Sequence, residues 1–277
     1  MIDLDRVLII GGSGMVGGQM HFGIKPSHAE LDITDRTSVQ TKINKLQPSA
    51  VINLAGLIDM RQAEENSERA RLVNVDGAAF VSEACNALNV PLVHFSTCAV
   101  FDGNKNEPYS ESDVPHPINI YGETKYEGEQ RVLAISAHAL IVRTGWLFGG
   151  FDKDKKFVHN CFNKLSSEGS IRATNDRFGS PTYIPDLISE VIQLLNQSVH
   201  GVVHVVNDSV ASYFDIAYAI NEIGHFNAEI IPASSRENEW PNLSRGRMES
   251  LMSERGVHMR DYREALEEYV IDLQRRI

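Results

Sequence analysis

The run Val7-Leu8-Ile9-Ile10 passes directly into Gly11-Gly12-Ser13-Gly14-Met15-Val16-Gly17, and nothing else in the 277-residue chain narrows its fold so far. Four apolar residues without alternation suggest a strand covered on both faces, the habit of parallel sheets. Glycines at 11, 14 and 17 allow a tight turn out of that strand into a helix that opens close to a ligand. Directly after the first strand of an α/β chain, such a loop takes the pyrophosphate of a dinucleotide on backbone N–H groups at a helix N-terminus. Gly11, Ser13, Gly14, Met15, Val16 and Gly17 are therefore the first candidates for cofactor contact.

The pattern continues along the chain. Ala50-Val51-Ile52-Asn53-Leu54, Leu92-Val93-His94-Phe95-Ser96 and Leu140-Ile141-Val142-Arg143-Thr144 read as further buried strands. Segments 35–46, 61–88 and 119–138 read as helices, with Thr34-Asp35 suited to cap the first. Strand and helix in alternation predict a Rossmann-like, doubly wound parallel sheet with right-handed crossovers. Beyond residue 150 the rhythm loosens. Helices are expected at 157–167, 184–196, 213–224 and 261–275, and strands at 201–206 and 228–232. The expected division is a dinucleotide-binding domain over 1–150 and a mainly substrate-binding lobe over 151–277, interleaved with the sheet.

Charge and cysteine content remove several classes. Thirty-seven acidic against 26 basic side chains leave a net charge of −11, which repels phosphate backbones and anionic membranes. No apolar run approaches the roughly 20 residues that cross a bilayer. Met1-Ile2-Asp3-Leu4-Asp5 carries acid where a targeting signal carries base, so a cytoplasmic protein is expected. Cys85, Cys98 and Cys161 are too few and scattered for a disulfide framework or a zinc site. His200 and His204 lack a third ligand, and no metal is assigned.

The first crossover is short. Only 14 residues separate Gly17 from Asp32, and Pro26 sits inside the candidate second strand, so the helix after the loop is expected to be short and that strand poor. Spacing nominates Glu30 or Asp32 for the ribose 2′-hydroxyl, whereas Ser27 and His28 stand nearer the expected end of the strand. Neither of those is an acid, so the expected cofactor leans to NADP, with NAD still open. Tyr121 and Lys125 lie four apart on a predicted helix and share a face. An ammonium beside the phenol is expected to favour its ionised form, and Thr97 places a hydroxyl at the end of the preceding strand. Hydroxyl, phenol and ammonium suit proton transfer to a carbonyl oxygen that receives hydride. Cys98 reads as a small lining residue, and Cys85 and Cys161 as core.

These residues resemble the extended short-chain dehydrogenase/reductase family, and within it the dTDP-4-dehydrorhamnose reductase family. The resemblance runs from about residue 5 to residue 271. It rests on the glycine loop, Leu31–Asp35, Val51-Ile52-Asn53, Ser96-Thr97, Val100–Gly103, Tyr109–Glu111, Asn119–Lys125, Glu127–Glu129, Arg143–Gly149, Phe178–Thr182 and Pro185–Leu187. It implies that Thr97, Tyr121 and Lys125 are catalytic and that Lys125 also holds the nicotinamide ribose. It further implies that Asp32 and Ile33 flank the adenine, Leu54, Ala55 and Gly56 line the cofactor, and Trp146 lies near the sugar. The substrate implied is a nucleotide-activated 4-keto-6-deoxyhexose, reduced in deoxysugar biosynthesis for surface polysaccharide.

Three places depart from the family's pattern. Cys98-Ala99 stands for Asp-Tyr, Gly145 for Ser, and Arg245-Gly246-Arg247-Met248-Glu249 for Arg-Pro-x-Asn-Ser. Cys98 and Arg245 remain candidates for substrate contact, Arg245 and Arg247 through a diphosphate, whose geometry an Arg fork suits. The rival readings are a non-catalytic, dinucleotide-binding regulatory subunit like that of methionine adenosyltransferase, and a nucleotide-sugar epimerase or dehydratase. A homodimer is the assembly left open.

Overall fold

The computed structural model describes residues 1–237 and 244–276. It begins with strand β1 (Val7–Ile10), helix α1 (Met15–Gln19), helix α2 (Arg36–Leu46) and strand β2 (Ala50–Asn53). Helices α3 (Met60–Glu65), α4 (Ser67–Arg71) and α5 (Ala78–Ala87) follow, with a π-helical turn over Leu72–Gly77 between the last two. Then come β3 (Leu92–Thr97), α6 (Ile120–Ile135), β4 (Leu140–Thr144), β5 (Leu147–Phe148) and α7 (Phe157–Glu168). Next are β6 (Ser170–Thr174), β7 (Phe178–Gly179), β8 (Thr182–Tyr183), α8 (Ile184–Asn196) and β9 (Gly201–His204). β10 (Ala211–Ser212), α9 (Tyr213–Gly224), β11 (Glu229–Ala233) and α10 (Tyr262–Gln274) close the chain.

The central sheet runs β1-β2-β3-β4-β9, parallel throughout. Every residue of β1 to β4 is buried, as continuous apolar runs require when helices cover both faces. Successive side chains alternate between those faces. Val7, Ile9, Ile52, Val93 and Val142 pack with Val16 of α1 and Leu187 and Val191 of α8. Leu8, Ile10, Val51 and Ile141 pack with Val39 and Ile43 of α2, Val81 of α5 and Val132 of α6. A separate cluster around Phe148, Phe162, Tyr183 and Tyr269 holds α7, α9 and α10 together. Among the described residues, no helix is long and apolar enough to cross a membrane.

The short first crossover decides where a ligand can sit. Helix α1 has five residues, and the second strand shrinks to a single bridge between Ile24 and Leu8. Ile9 N–H donates to the Ile24 carbonyl (2.8 Å) and Ile24 N–H to the Val7 carbonyl (2.7 Å). Pro26, which has no N–H to donate, lies two residues on, where pairing has stopped. Ser27 and His28 therefore do not end a strand; that place falls to Lys25. The chain returns through α2 and lays β2 on the opposite edge of β1, so chain order reverses at β1 and opens a crevice at its carboxyl end.

Two other expectations change. The helix expected over 61–88 breaks at Asn66, whose side chain accepts from Arg69 N–H to cap α4, and loosens again in the π-helical turn. The strand expected at 228–232 forms as β11, but it pairs with β6 in a separate parallel pair.

Candidate active site

The glycine loop leaves β1 with Gly11 at φ +80°, where a Cβ would fall 2.8 Å from the Ala55 nitrogen. A Cβ on Gly17 would fall 2.5 Å from Gly12 Cα, so both positions must be glycine for the loop to fold against its neighbours. Gly14 differs. A Cβ there would meet the Gly11 carbonyl oxygen at 3.3 Å and otherwise point into a cavity of about 600 Å³. This bare backbone cradle fits a dinucleotide pyrophosphate, for which a side chain at 14 would compete. A five-residue helix adds little macrodipole, so open N–H groups and space matter more here than the helix end that the sequence suggested.

Thr97 closes β3 in extended backbone (φ −148°) and accepts a hydrogen bond from Ala99 N–H at 3.2 Å. Asn119 caps α6, its Oδ1 accepting from Gly122 N–H at 2.8 Å and its Nδ2 donating to the Ser244 carbonyl at 2.9 Å. Gly122 lets α6 approach closely, since a Cβ there would fall 2.1 Å from the Ala99 carbonyl oxygen. Tyr121 and Lys125 thus enter the same cavity as Thr97. Lys125 is 4% exposed, and its Nζ donates to the Phe95 carbonyl at 2.6 Å.

The electrostatics reverse the sequence expectation for the phenol. Burial pushes Tyr121 up to about 12, against which the Thr97 hydroxyl works in the opposite sense. Burial pushes Lys125 down to about 8, opposed by the charge of Glu129. The phenol is therefore neutral at pH 7 and carries a proton to give. Desolvation of the charged form outweighs the Thr97 hydroxyl, and the Lys125 ammonium is not among the groups that shift the phenol.

Trp146 and Arg245 form another wall of the cavity. The indole stacks on Tyr213 with centroids 4.1 Å apart, and Gly179 leaves it room, since a Cβ there would fall 2.2 Å from the ring. The indole N–H donates to Glu249 Oε2 at 2.7 Å. Arg245 grips the same carboxylate through Nε (2.9 Å) and Nη2 (2.6 Å), so its guanidinium arrives already paired. Arg247 is exposed and lies over the Phe178 ring instead of lining this cavity. Burial, then Glu249, push the Cys98 thiol up to about 12, which leaves it protonated. A Cβ at 145 would fall 2.6 Å from Cys98 Sγ, so Gly145 makes room for Cys98.

The cavity thus brings together Gly11, Gly14, Met15, Val16, Gly17, Leu54, Gly56, Thr97, Cys98, Tyr121, Lys125, Trp146 and Arg245. Ser13, Ala55, Asp32 and Ile33 lie outside its lining among the described residues. Asp32 Oδ1 accepts from the Thr34 N–H (2.9 Å) and hydroxyl (2.7 Å), and Ile33 is buried against Gly77. Sequence reasoning missed Glu249 as a cavity residue, although it had marked that segment as a departure. It also missed Asn74, carried on the π-helical turn, which binds Leu57 N–H (2.8 Å) and the Thr124 hydroxyl (3.0 Å) and so ties the loop after β2 to α6. No local signal marks a residue whose role depends on an irregular helix.

A parallel sheet with a glycine loop at its switch point, and a hydroxyl, phenol and ammonium gathered beside that loop, define the class as an extended short-chain dehydrogenase/reductase. Residues 5–275 match the family model described as the RmlD substrate binding domain, and the chain belongs to that family. It is 34% identical over 281 residues to the dTDP-4-dehydrorhamnose reductase of Mycolicibacterium smegmatis, covering 96% of this chain and 85% of that one. It is 30% identical to the Bacillus subtilis spore coat polysaccharide biosynthesis protein SpsK, covering 96% and 97% of the two chains. The crystal structure of dTDP-4-dehydrorhamnose reductase from Bacillus anthracis in complex with NADP superposes with a TM-score of 0.91 at 30% identity, covering 98% of this chain and all of that one.

Proposed function

We propose that this chain reduces the 4-keto group of a nucleotide-activated 6-deoxyhexose with NADPH, NADH serving less well, as a reductase of the dTDP-4-dehydrorhamnose type in cytoplasmic deoxysugar biosynthesis. The observation that carries this reading is the neutral, buried phenol of Tyr121 in one cavity with Thr97, Lys125 and the glycine cradle. Residues 1–150 are assigned the dinucleotide and 151–277 mainly the sugar nucleotide. Gly11, Ser13, Gly14, Met15, Val16 and Gly17 would cradle the pyrophosphate, with Leu54, Ala55 and Gly56 along the cofactor and Asp32 and Ile33 beside its adenine. Bound NADPH supplies hydride to the sugar carbon. Tyr121 gives its proton to the ketone oxygen, and Thr97 donates to the same oxygen, so charge that builds there meets positioned donors. Lys125 holds the ribose and stabilises the phenolate left after proton transfer. Trp146, Cys98 and Arg245 line the sugar nucleotide.

A panel of nucleotide-linked 4-keto sugars, followed by NADPH oxidation, tests the proposal. Turnover of at least one is expected. NADPH binding without turnover of any is the outcome for a regulatory subunit and would refute it. A dehydratase would call for a free acid–base carboxylate, whereas in this cavity Glu249 is committed to Trp146 and Arg245, and Asp59 caps α3.

The position of Lys125 predicts an alkaline limb. Its proton is lost as pH rises through about 8, well below the usual 10.5, and the ammonium is the form that serves ribose and phenolate. Consequently kcat/KM should fall about tenfold per pH unit above that point. Lys125→Arg, charged throughout, should remove the limb even if it lowers the plateau. Initial rates from pH 6 to 10 check this, and a flat wild-type profile would count against it. The same depression costs stability at neutral pH, and that cost should be relieved as pH rises from about 8 to 10.5, where the unfolded chain still binds the extra proton.

A further inference from the structure

Gly11, Gly14 and Gly17 account for the turn after β1, yet Gly12 and Gly18 are glycine as well, and each lies against a lysine. A Cβ on Gly12 would fall 2.8 Å from Cβ and Cγ of Lys25, and one on Gly18 would fall 2.9 Å from Nζ of Lys153. Lys25 directly follows Ile24, the residue that pairs with β1 where a second strand would run. It therefore closes that remnant, at the position from which a doubly wound sheet reaches the adenosine ribose. Its Nζ donates to the Met20 carbonyl just past α1. Lys153 comes from the other half of the chain, on the turn Phe151–Lys153, and its Nζ donates to the Ser13 carbonyl at 3.2 Å. The Lys25 stem thus lies against Gly12 with its ammonium at the end of α1, and the Lys153 ammonium lies against Ser13 and Gly18, so two cations distant in sequence bracket the loop and its short helix.

Their charge is uncompensated in a chain whose net charge is −11. Among the described residues neither lysine is ion-paired. The acids that follow Lys25 are engaged elsewhere. Glu30 accepts from the Ser27 N–H and hydroxyl (both 2.9 Å) and stands 3.8 Å from Lys42 Nζ, while Asp32 is held by Thr34. Partial burial, and then the charge of Lys153, push Lys25 below its ordinary value. An anion between the two would relieve that repulsion.

We propose that Lys25 and Lys153 form the site for the 2′-phosphate of the dinucleotide, and so select NADPH over NADH. This rests on the dinucleotide reading above. A phosphate monoester carries roughly −1.5 to −2 at pH 7 and three acceptor oxygens, where NADH offers a hydroxyl. Lysine serves such a group as a mobile point charge and needs no fixed fork.

Dissociation constants for NADPH and NADH, measured by calorimetry without substrate, test the assignment on the wild type, Lys25→Met, Lys153→Met and the double variant. Methionine keeps an apolar stem against the glycine backbone, and circular dichroism checks the fold. Wild type should bind NADPH at least about tenfold more tightly than NADH, each single variant should lose about 5–10-fold for NADPH alone, and the double variant should bind both alike. Equal losses for both dinucleotides would place the lysines at the shared pyrophosphate and overturn the assignment, as would an unchanged ratio. Gly14→Val separates the two readings, because it should abolish binding of both dinucleotides. If wild type binds both equally, and Gly14→Val neither, the cradle stands and the lysine site falls. If wild type binds neither, both fall.

Discussion

Tyr121→Phe should lower kcat for ketone reduction by about 10²–10⁴ while leaving the fold and the NADPH affinity nearly unchanged. The ring is buried, packed with Ala63, Ala70 and Ala99, and phenylalanine keeps all of that surface. What disappears is the hydroxyl, and with it the proton that Tyr121 holds because burial has pushed it to about 12. Negative charge forming on the ketone oxygen would then meet Thr97 as its remaining donor on this side of the cavity. The loss should appear in kcat and kcat/KM alike, since the interaction belongs to the transition state. Single-turnover oxidation of NADPH under saturating sugar nucleotide measures it. A kcat within threefold of wild type would sink the assignment of Tyr121 as proton donor.

How much of this could be read beforehand depends on how local each cause is. The glycine loop and the β-branched runs around Ile9, Ile52 and Ile141 carry their own evidence, because adjacent residues produce both the turn and the two-sided burial. Tyr121 and Lys125 share a face through simple helical spacing, and Thr97 falls at a strand end for equally local reasons. The sign of the phenol's shift was not local. It depends on how completely α6 closes over β3, and that closure comes from Gly122 meeting the Ala99 carbonyl, 23 residues earlier in the chain. A shared helix face for phenol and ammonium was visible; the desolvation that sets the direction of the shift was not.

The second strand fails to appear for a related reason. Spacing from Gly17 points to Glu30 or Asp32 and the expected strand end to Ser27 and His28, but both place the end of the second strand too late. With α1 only five residues long, the chain reaches the edge of β1 at Ile24, and each later candidate lies beyond the pairing. Glu249 escaped because Trp146 is remote in sequence, and because Arg245, although four residues before it, lies with it outside any helix that would give that spacing a meaning.

Arg143→Met should destabilise the protein by about 3–5 kcal/mol, because it breaks a buried ion pair and leaves the other charge in place. Glu129 is fully buried and Arg143 is 3% exposed. The guanidinium donates through Nε to Oε1 (3.0 Å) and through Nη2 to Oε2 (2.7 Å), and Ser96 donates to the same carboxylate. Nη1 reaches His204 Nε2 at 3.5 Å, and the Phe101 ring lies 5.3 Å from the guanidinium carbon. Methionine fills part of that volume, yet Glu129 would keep Ser96 as its remaining partner from this set. The cost comes from the orphaned carboxylate, so it should fall when that charge is removed too. Arg143→Met with Glu129→Leu should recover most of the loss, as apolar replacements of buried pairs commonly do. Urea denaturation of the three proteins measures the difference, provided their m values agree. The orphan-charge argument would be wrong if the single variant lost less than about 1 kcal/mol, or if the double variant were no more stable than the single.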